Sequence, residues 1–257
     1  MDRGDYTRES GAFIVKFSES DMIPEPRKST LTFSIRTRRV TGDRAVRAAV
    51  SAVLIVAAVA GAAAGQLASR SADEWIKLLE SPARLASLKI DEVIAKLRLK
   101  PGDVVADLGA GAGAFTVPLA RAVGGSGKVY AVEIDQALVD YISRKIKDQR
   151  VPNVRPVLGK FGDPALPAAD VDVAFLHDVL HHVEDRAGYL KQVARYLKRG
   201  SRIAVVEPDA RNGPHRDDPK LQLTRDQLKS WMADAGFVPS EEHQLFDDKW
   251  YVVYARR

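Results

Sequence analysis

The chain has 257 residues, with 39 Lys and Arg against 34 Asp and Glu and a formal charge of +5; that length can bury a full core, and the ordinary apolar and charged fractions exclude a wholly disordered protein. It has no cysteine, which excludes disulfides, thiolate metal sites and a cysteine nucleophile. Residues 1–65 hold ten basic and seven acidic side chains and the remainder 29 and 27, so the rest of the chain is nearly neutral and offers no basic footprint for nucleic acid.

Residues 1–47 lack sustained periodicity and read as a basic, disordered segment, ending in Arg36, Arg38, Arg39, Arg44 and Arg47. An 18-residue uncharged run follows at 48–65, mostly Ala and Val. Its basic flank, apolar centre and small-residue end fit a signal peptide or a membrane anchor, with a buried Ala-rich helix as the alternative. The arginines ahead of it predict a membrane-attached or exported (periplasmic) domain, and a cytoplasmic one if the run is no targeting signal.

Residues 66–98 read as a helical lead-in. Ser71-Ala72-Asp73-Glu74 has capping-box spacing ahead of an amphipathic stretch, and Ile90, Val93, Ile94 and Leu97 repeat on one helical face. Lys100-Pro101-Gly102 ends that pattern. Short apolar runs then fall at 104–107, 129–133, 154–158, 171–176 and 203–207, separated by helical patterns at 115–123, 137–147, 189–198 and 225–235. Alternation of this kind predicts an α/β fold, with a mostly parallel sheet and helices on both faces. The chain closes on two strands, 237–246 and 250–255, joined by a tight turn and hence antiparallel.

The segment 104–115, V-V-A-D-L-G-A-G-A-G-A-F, is the richest in chemistry. A buried strand runs into Gly109, Gly111 and Gly113 and then a helix, the arrangement that lets a ligand approach backbone closely. The spacing also satisfies the dinucleotide fingerprint, so the glycines alone do not choose a ligand. Asp107, two residues before the first glycine, should face the crevice at the carboxyl end of the strand. It would repel a pyrophosphate and suit a cationic ligand. Glu133 closes the next strand, where a carboxylate can accept from ribose hydroxyls.

This segment resembles motif I of the class I S-adenosylmethionine-dependent methyltransferases, and 129–135 (V-Y-A-V-E-I-D) resembles their second-strand acidic motif. Residues 162–167 resemble the family's adenine loop, 171–185 its fourth strand with an HH-x-E/D signature, and 197–202 its L-K-P-G-G turn with Arg199 and Ser201 as departures. The likeness covers 99–257 and is nearest to the ubiquinone/menaquinone-biosynthesis and other small-molecule branches. It implies a Rossmann-like seven-stranded sheet with an antiparallel C-terminal strand, S-adenosyl-L-methionine as cofactor, and a small-molecule or lipid-like acceptor. It assigns Asp107, Gly109 and Gly111 to the methionine end, with Gly113 also in the cofactor-binding loop, Glu133 to the ribose, Ile134 to an adenine face and Asp163 to the adenine amine. His177 is implied beside the methyl group. The lack of cysteine argues against likeness to arsenite methyltransferases, which need thiols.

His181, His182 and His215 are the candidate general bases, since histidine titrates near neutrality. The alternative is that they only shape loops. A metal site on His177, His181, Asp178 and Glu184 matches no familiar ligand spacing, so no metal is expected. Two other functions remain open at this point: an NAD-dependent oxidoreductase, and a membrane-attached binding module without activity.

Overall fold

The computed structural model describes residues 71–211, 213 and 217–257. The expected segments at 1–47 and 48–65 lie outside these residues. Among the described residues no helix is long and apolar enough to cross a membrane.

Three short helices lead in. Helix α1 (Ala72–Leu79) starts at the expected capping box, in which the Ser71 hydroxyl accepts from the Glu74 N–H and Glu74 accepts from the Ser71 N–H. Helix α2 (Pro82–Ser87), with Pro at its first position, was not expected from periodicity, and α3 (Ile90–Leu97) buries Val93 and Leu97 as its spacing predicts. The alternating part follows as β1 (Val104–Leu108), α4 (Thr116–Ala122), β2 (Lys128–Glu133), α5 (Gln136–Asp148) and β3 (Val154–Leu158). It continues with β4 (Val171–His177), a 3-10 turn at Leu180–His182, α6 (Arg186–Arg195) and β5 (Leu197–Pro208). The last elements are α7 (Arg225–Asp234), β6 (Phe237–His243) and β7 (Lys249–Arg256).

The seven strands form one sheet in the order β3-β2-β1-β4-β5-β7-β6. The first five are parallel, and β7 inserts antiparallel to both neighbours. This is the predicted architecture. Period-two alternation sends Ala106, Leu108, Ala174, Leu176, Ile203 and Val205 to a core closed by Leu190 of α6 and Leu228 of α7. Val105, Val173, Phe175, Ala204 and Val206 face the opposite core, closed by Val93, Leu97, Leu119 and Ile142 of α3, α4 and α5. Helices therefore cover both faces, which is why the parallel strands read as continuous apolar runs.

Two boundaries differ from expectation. The helix predicted to reach residue 198 stops at Arg195, and β5 begins at Leu197 instead of 203. Leu197 pairs with Val171 whereas Arg202 pairs with Val173, so the expected turn is a bulge inside the strand, with Gly200 at φ +73°.

Candidate active site

The carboxyl ends of β1, β2, β4 and β5 gather every described candidate except Asp163, which lies just beyond β3. The three loop glycines all have positive φ, +73°, +57° and +74° at Gly109, Gly111 and Gly113. A Cβ on Gly109 would stand 2.6 Å from Val179 Cγ2, and one on Gly111 would stand 3.2 Å from Leu79 of α1. Gly109→Ala is therefore expected to cost about 2–4 kcal/mol, from the left-handed backbone and the clash together. Adding Val179→Ala should recover part of the loss in a thermal melt. No recovery would show that Val179 is not what the glycine accommodates.

Asp107 is 4% exposed and accepts a 2.6 Å hydrogen bond from the Thr116 hydroxyl at the start of α4. Burial pushes its carboxyl up to about 7, against the pull of Thr116 and with help from the charge on Glu133. The expected bare carboxylate at the crevice is thus a desolvated one with a single hydroxyl partner. Glu133 is also buried, and burial raises its pKa. Its Oε2 accepts from Gly111 N–H at 2.9 Å and its Oε1 from Ile134 N–H at 2.7 Å. Oε1 also takes Asp135 N–H at 3.4 Å, so Oε2 is the oxygen that keeps a second lone pair for a hydroxyl donor. Ile134 is half-buried directly after β2.

Asp163 lies in the 160–163 turn, where Oδ1 accepts from the Tyr196 hydroxyl and from Ala165 N–H, both at 2.8 Å. Over the glycine loop, Lys145 of α5 donates to Ala112 O at 3.0 Å and to Glu80 at 2.5 Å, and Glu80 also takes the Tyr141 hydroxyl. That tie holds the end of α1 beside Gly111. A separate cleft, lined by Gly127, Lys128, Asn153 and Arg155, opens at the amino ends of β2 and β3, the opposite end of the sheet.

The histidines sort by their carboxylates. His181 Nδ1 lies 2.6 Å from Glu207 Oε2, and both side chains are buried. Glu207 Oε1 also accepts from Val179 N–H at 2.9 Å and Leu180 N–H at 2.6 Å. His182 is exposed, with its ring 4.0 Å from that of His181. His177, at the end of β4, has Nδ1 3.3 Å from Asp178 Oδ2 and packs on Phe115 at 4.8 Å. His215 lies outside the described residues. Among the described residues no three His, Asp or Glu side chains form a metal-binding group.

Sequence reading missed Glu207, Thr116 and Lys249. Glu207 carried a usable signal, an acid closing an apolar parallel strand, which is the sign that singled out Asp107 and Glu133. Thr116 and Lys249 had none, because their partners are set by packing.

Two buried carboxylates beside a glycine loop suit a ligand bearing an ammonium and hydroxyls, and they oppose a pyrophosphate. Residues 106–205 match the family described as "Methyltransferase domain". A demethylmenaquinone methyltransferase of Lactobacillus johnsonii is 32% identical over 122 residues, 46% of this chain and 49% of that protein. An arsenite methyltransferase of Halobacterium salinarum is 27% identical over 170 residues, 59% of this chain and 43% of that protein. The missing thiols thus did not separate the chain from that branch, because scaffold and thiol chemistry reside in different residues. The chain spans between 36% and 50% of the length of the first curated relatives it matches. A solved S-adenosylmethionine-dependent methyltransferase from Aquifex aeolicus superposes with a TM-score of 0.66 at 23% identity, covering 74% of this chain and 100% of that one, a likeness of fold. Over residues 106–205 the chain is therefore similar to a methyltransferase domain and to relatives named as methyltransferases.

Proposed function

We propose that the protein transfers a methyl group from S-adenosylmethionine to a small-molecule acceptor. The observation that carries this is the buried pair Asp107 and Glu133 around the glycine loop. Asp107 would hold the ammonium of the methionine moiety, the loop its carboxylate, Glu133 the ribose hydroxyls, and Asp163 the adenine amine. The bound sulfonium supplies an electrophilic methyl group, so the chain's own work is alignment and exclusion of water. The small-molecule class is supported by relatives named as demethylmenaquinone methyltransferases. His181 serves in this reading to hold the 179–181 turn on Glu207, and not to move a proton.

A ligand at a hundred times its dissociation constant stabilises a fold by about 2.7 kcal/mol. Saturating S-adenosylhomocysteine should therefore raise the melting temperature by roughly 5–10 °C, and NAD should leave it unchanged. A shift with NAD alone would restore the oxidoreductase reading.

A further inference from the structure

Two buried polar atoms of adjacent residues lack partners: His177 Nε2 and Asp178 Oδ1. The His177 side chain is 4% exposed, so its unpaired nitrogen sits away from water. Such atoms are costly to leave unsatisfied and mark places where a ligand completes the hydrogen bonding. The pair is also built with care. Asp178 takes a left-handed backbone at φ +58°, which brings its carboxylate back to the Nδ1 of the preceding histidine. Asp178 N–H is tied to Val206 O at 2.9 Å, and Lys249 Nζ of β7 lies 2.6 Å from Oδ2. His177 and Lys249 hold the Asp178 carboxyl far below the usual range despite burial, so it stays ionised.

The charged groups facing the pair are Lys249 from β7 and Arg84 from α2, 2.6 and 3.8 Å from Asp178 Oδ2, with Arg84 on the solvent side. Aromatic rings pack on the imidazole. Phe115 and Phe246 lie 4.8 and 6.2 Å from the imidazole, and Phe175 lies 6.2 Å away. On the sheet, Asp107 pairs with Phe175, so His177 is the next residue along β4 on the face that carries Asp107. The orphan nitrogen therefore stands beside the end of the crevice assigned to the methionine moiety.

We propose that His177, oriented by Asp178, is the general base for an acceptor with an aromatic or enolic hydroxyl, seated against Phe115 and Phe246. The Asp178 contact places the proton on Nδ1 and leaves the Nε2 lone pair to take the acceptor's proton. In that step the acceptor O–H bond breaks, an N–H bond forms on Nε2, and the oxygen keeps the electron pair. The imidazolium is balanced by Asp178, and the resulting oxyanion, or the carbon conjugated to it, is the nucleophile for the sulfonium methyl. This inference rests on the methyltransferase reading but is tested apart from it.

The probe is 4-nitrophenol, whose visible absorption reports its own ionisation. It is titrated into the full chain, with and without S-adenosylhomocysteine, below the pH at which the free phenol ionises. The wild-type protein should bind it and display the phenolate band. His177→Gln and Asp178→Asn, both checked for a native melt, should lower the bound phenolate by about tenfold or more. No phenol binding by the wild type, or an undiminished band in a folded His177→Gln protein, overturns the proposal. A band that depends on His177 in a chain that ignores S-adenosylhomocysteine supports the base and defeats the methyltransferase reading instead.

Discussion

Asp107→Asn is expected to weaken S-adenosylhomocysteine binding by roughly a hundredfold, from losing about 3 kcal/mol of charge-assisted contact to the ligand's ammonium. The same substitution should make the free protein more stable above neutral pH. The folded chain raises this carboxyl from an ordinary 3.8 to about 7. Between those values the folded state holds a proton that the unfolded chain has released. Stability from this group is therefore complete below 3.8 and declines as pH rises through about 7. Asparagine keeps an oxygen for the Thr116 hydroxyl and has no charge to bury, so the decline disappears.

The difference at pH ~8 should be on the order of a few kcal/mol, read from denaturant melts at about pH 5 and 8. Identical pH slopes for the two proteins would refute the assignment. Binding draws on the ionised form, so affinity in the wild type should climb with pH until about 7. It should also release a proton at pH ~6, visible by calorimetry in buffers of different ionisation enthalpy. A buried acid kept half-neutral by desolvation, and ionised by its cationic ligand, links folding to occupancy of the crevice.

Glu207→Ala should be the most damaging single change to the fold among the site residues. It strips the partner from Val179 N–H, Leu180 N–H and His181 Nδ1 at once, in a place with no solvent exposure. Each orphaned group costs about 1–3 kcal/mol. A fall in melting temperature of about 10 °C or more is expected, with lost hydrogen-exchange protection at Val179 and Leu180. Glu207→Gln should be milder. Its amide oxygen can still accept from both peptide N–H groups, and its amide nitrogen can donate to the other His181 tautomer. Equal damage from Gln and Ala would mean that charge, and not hydrogen-bond geometry, holds the turn. Because Val179 packs on Gly109, loosening this turn should also weaken ligand binding at the loop.

Much of this site is written locally. Asp107, Gly109, Gly111, Gly113 and Glu133 sit at strand ends and in one tight turn, where spacing along the chain equals position in space. The helices at 90–97 and 225–234 and the antiparallel hairpin at the end also follow from periodicity within a dozen residues. Helix α2 escaped because six residues show too little periodicity. The β5 bulge escaped because a glycine with positive φ signals a turn whether or not pairing resumes around it.

The chemistry of the histidines is another matter. The sequence by itself determined an α/β sheet with a glycine loop, its two acids, and three histidines near the fourth strand. Which histidine is structural and which stands with an unpaired nitrogen depends on Glu207, 26 residues beyond His181, and on Lys249, 71 residues beyond Asp178. Those meetings follow from the strand order β3-β2-β1-β4-β5-β7-β6, which lays β5 beside β4 and inserts β7 next to β5. Strand order is settled by burial of both sheet faces at once. Only the tertiary structure could therefore bring His177 forward as the proposed base.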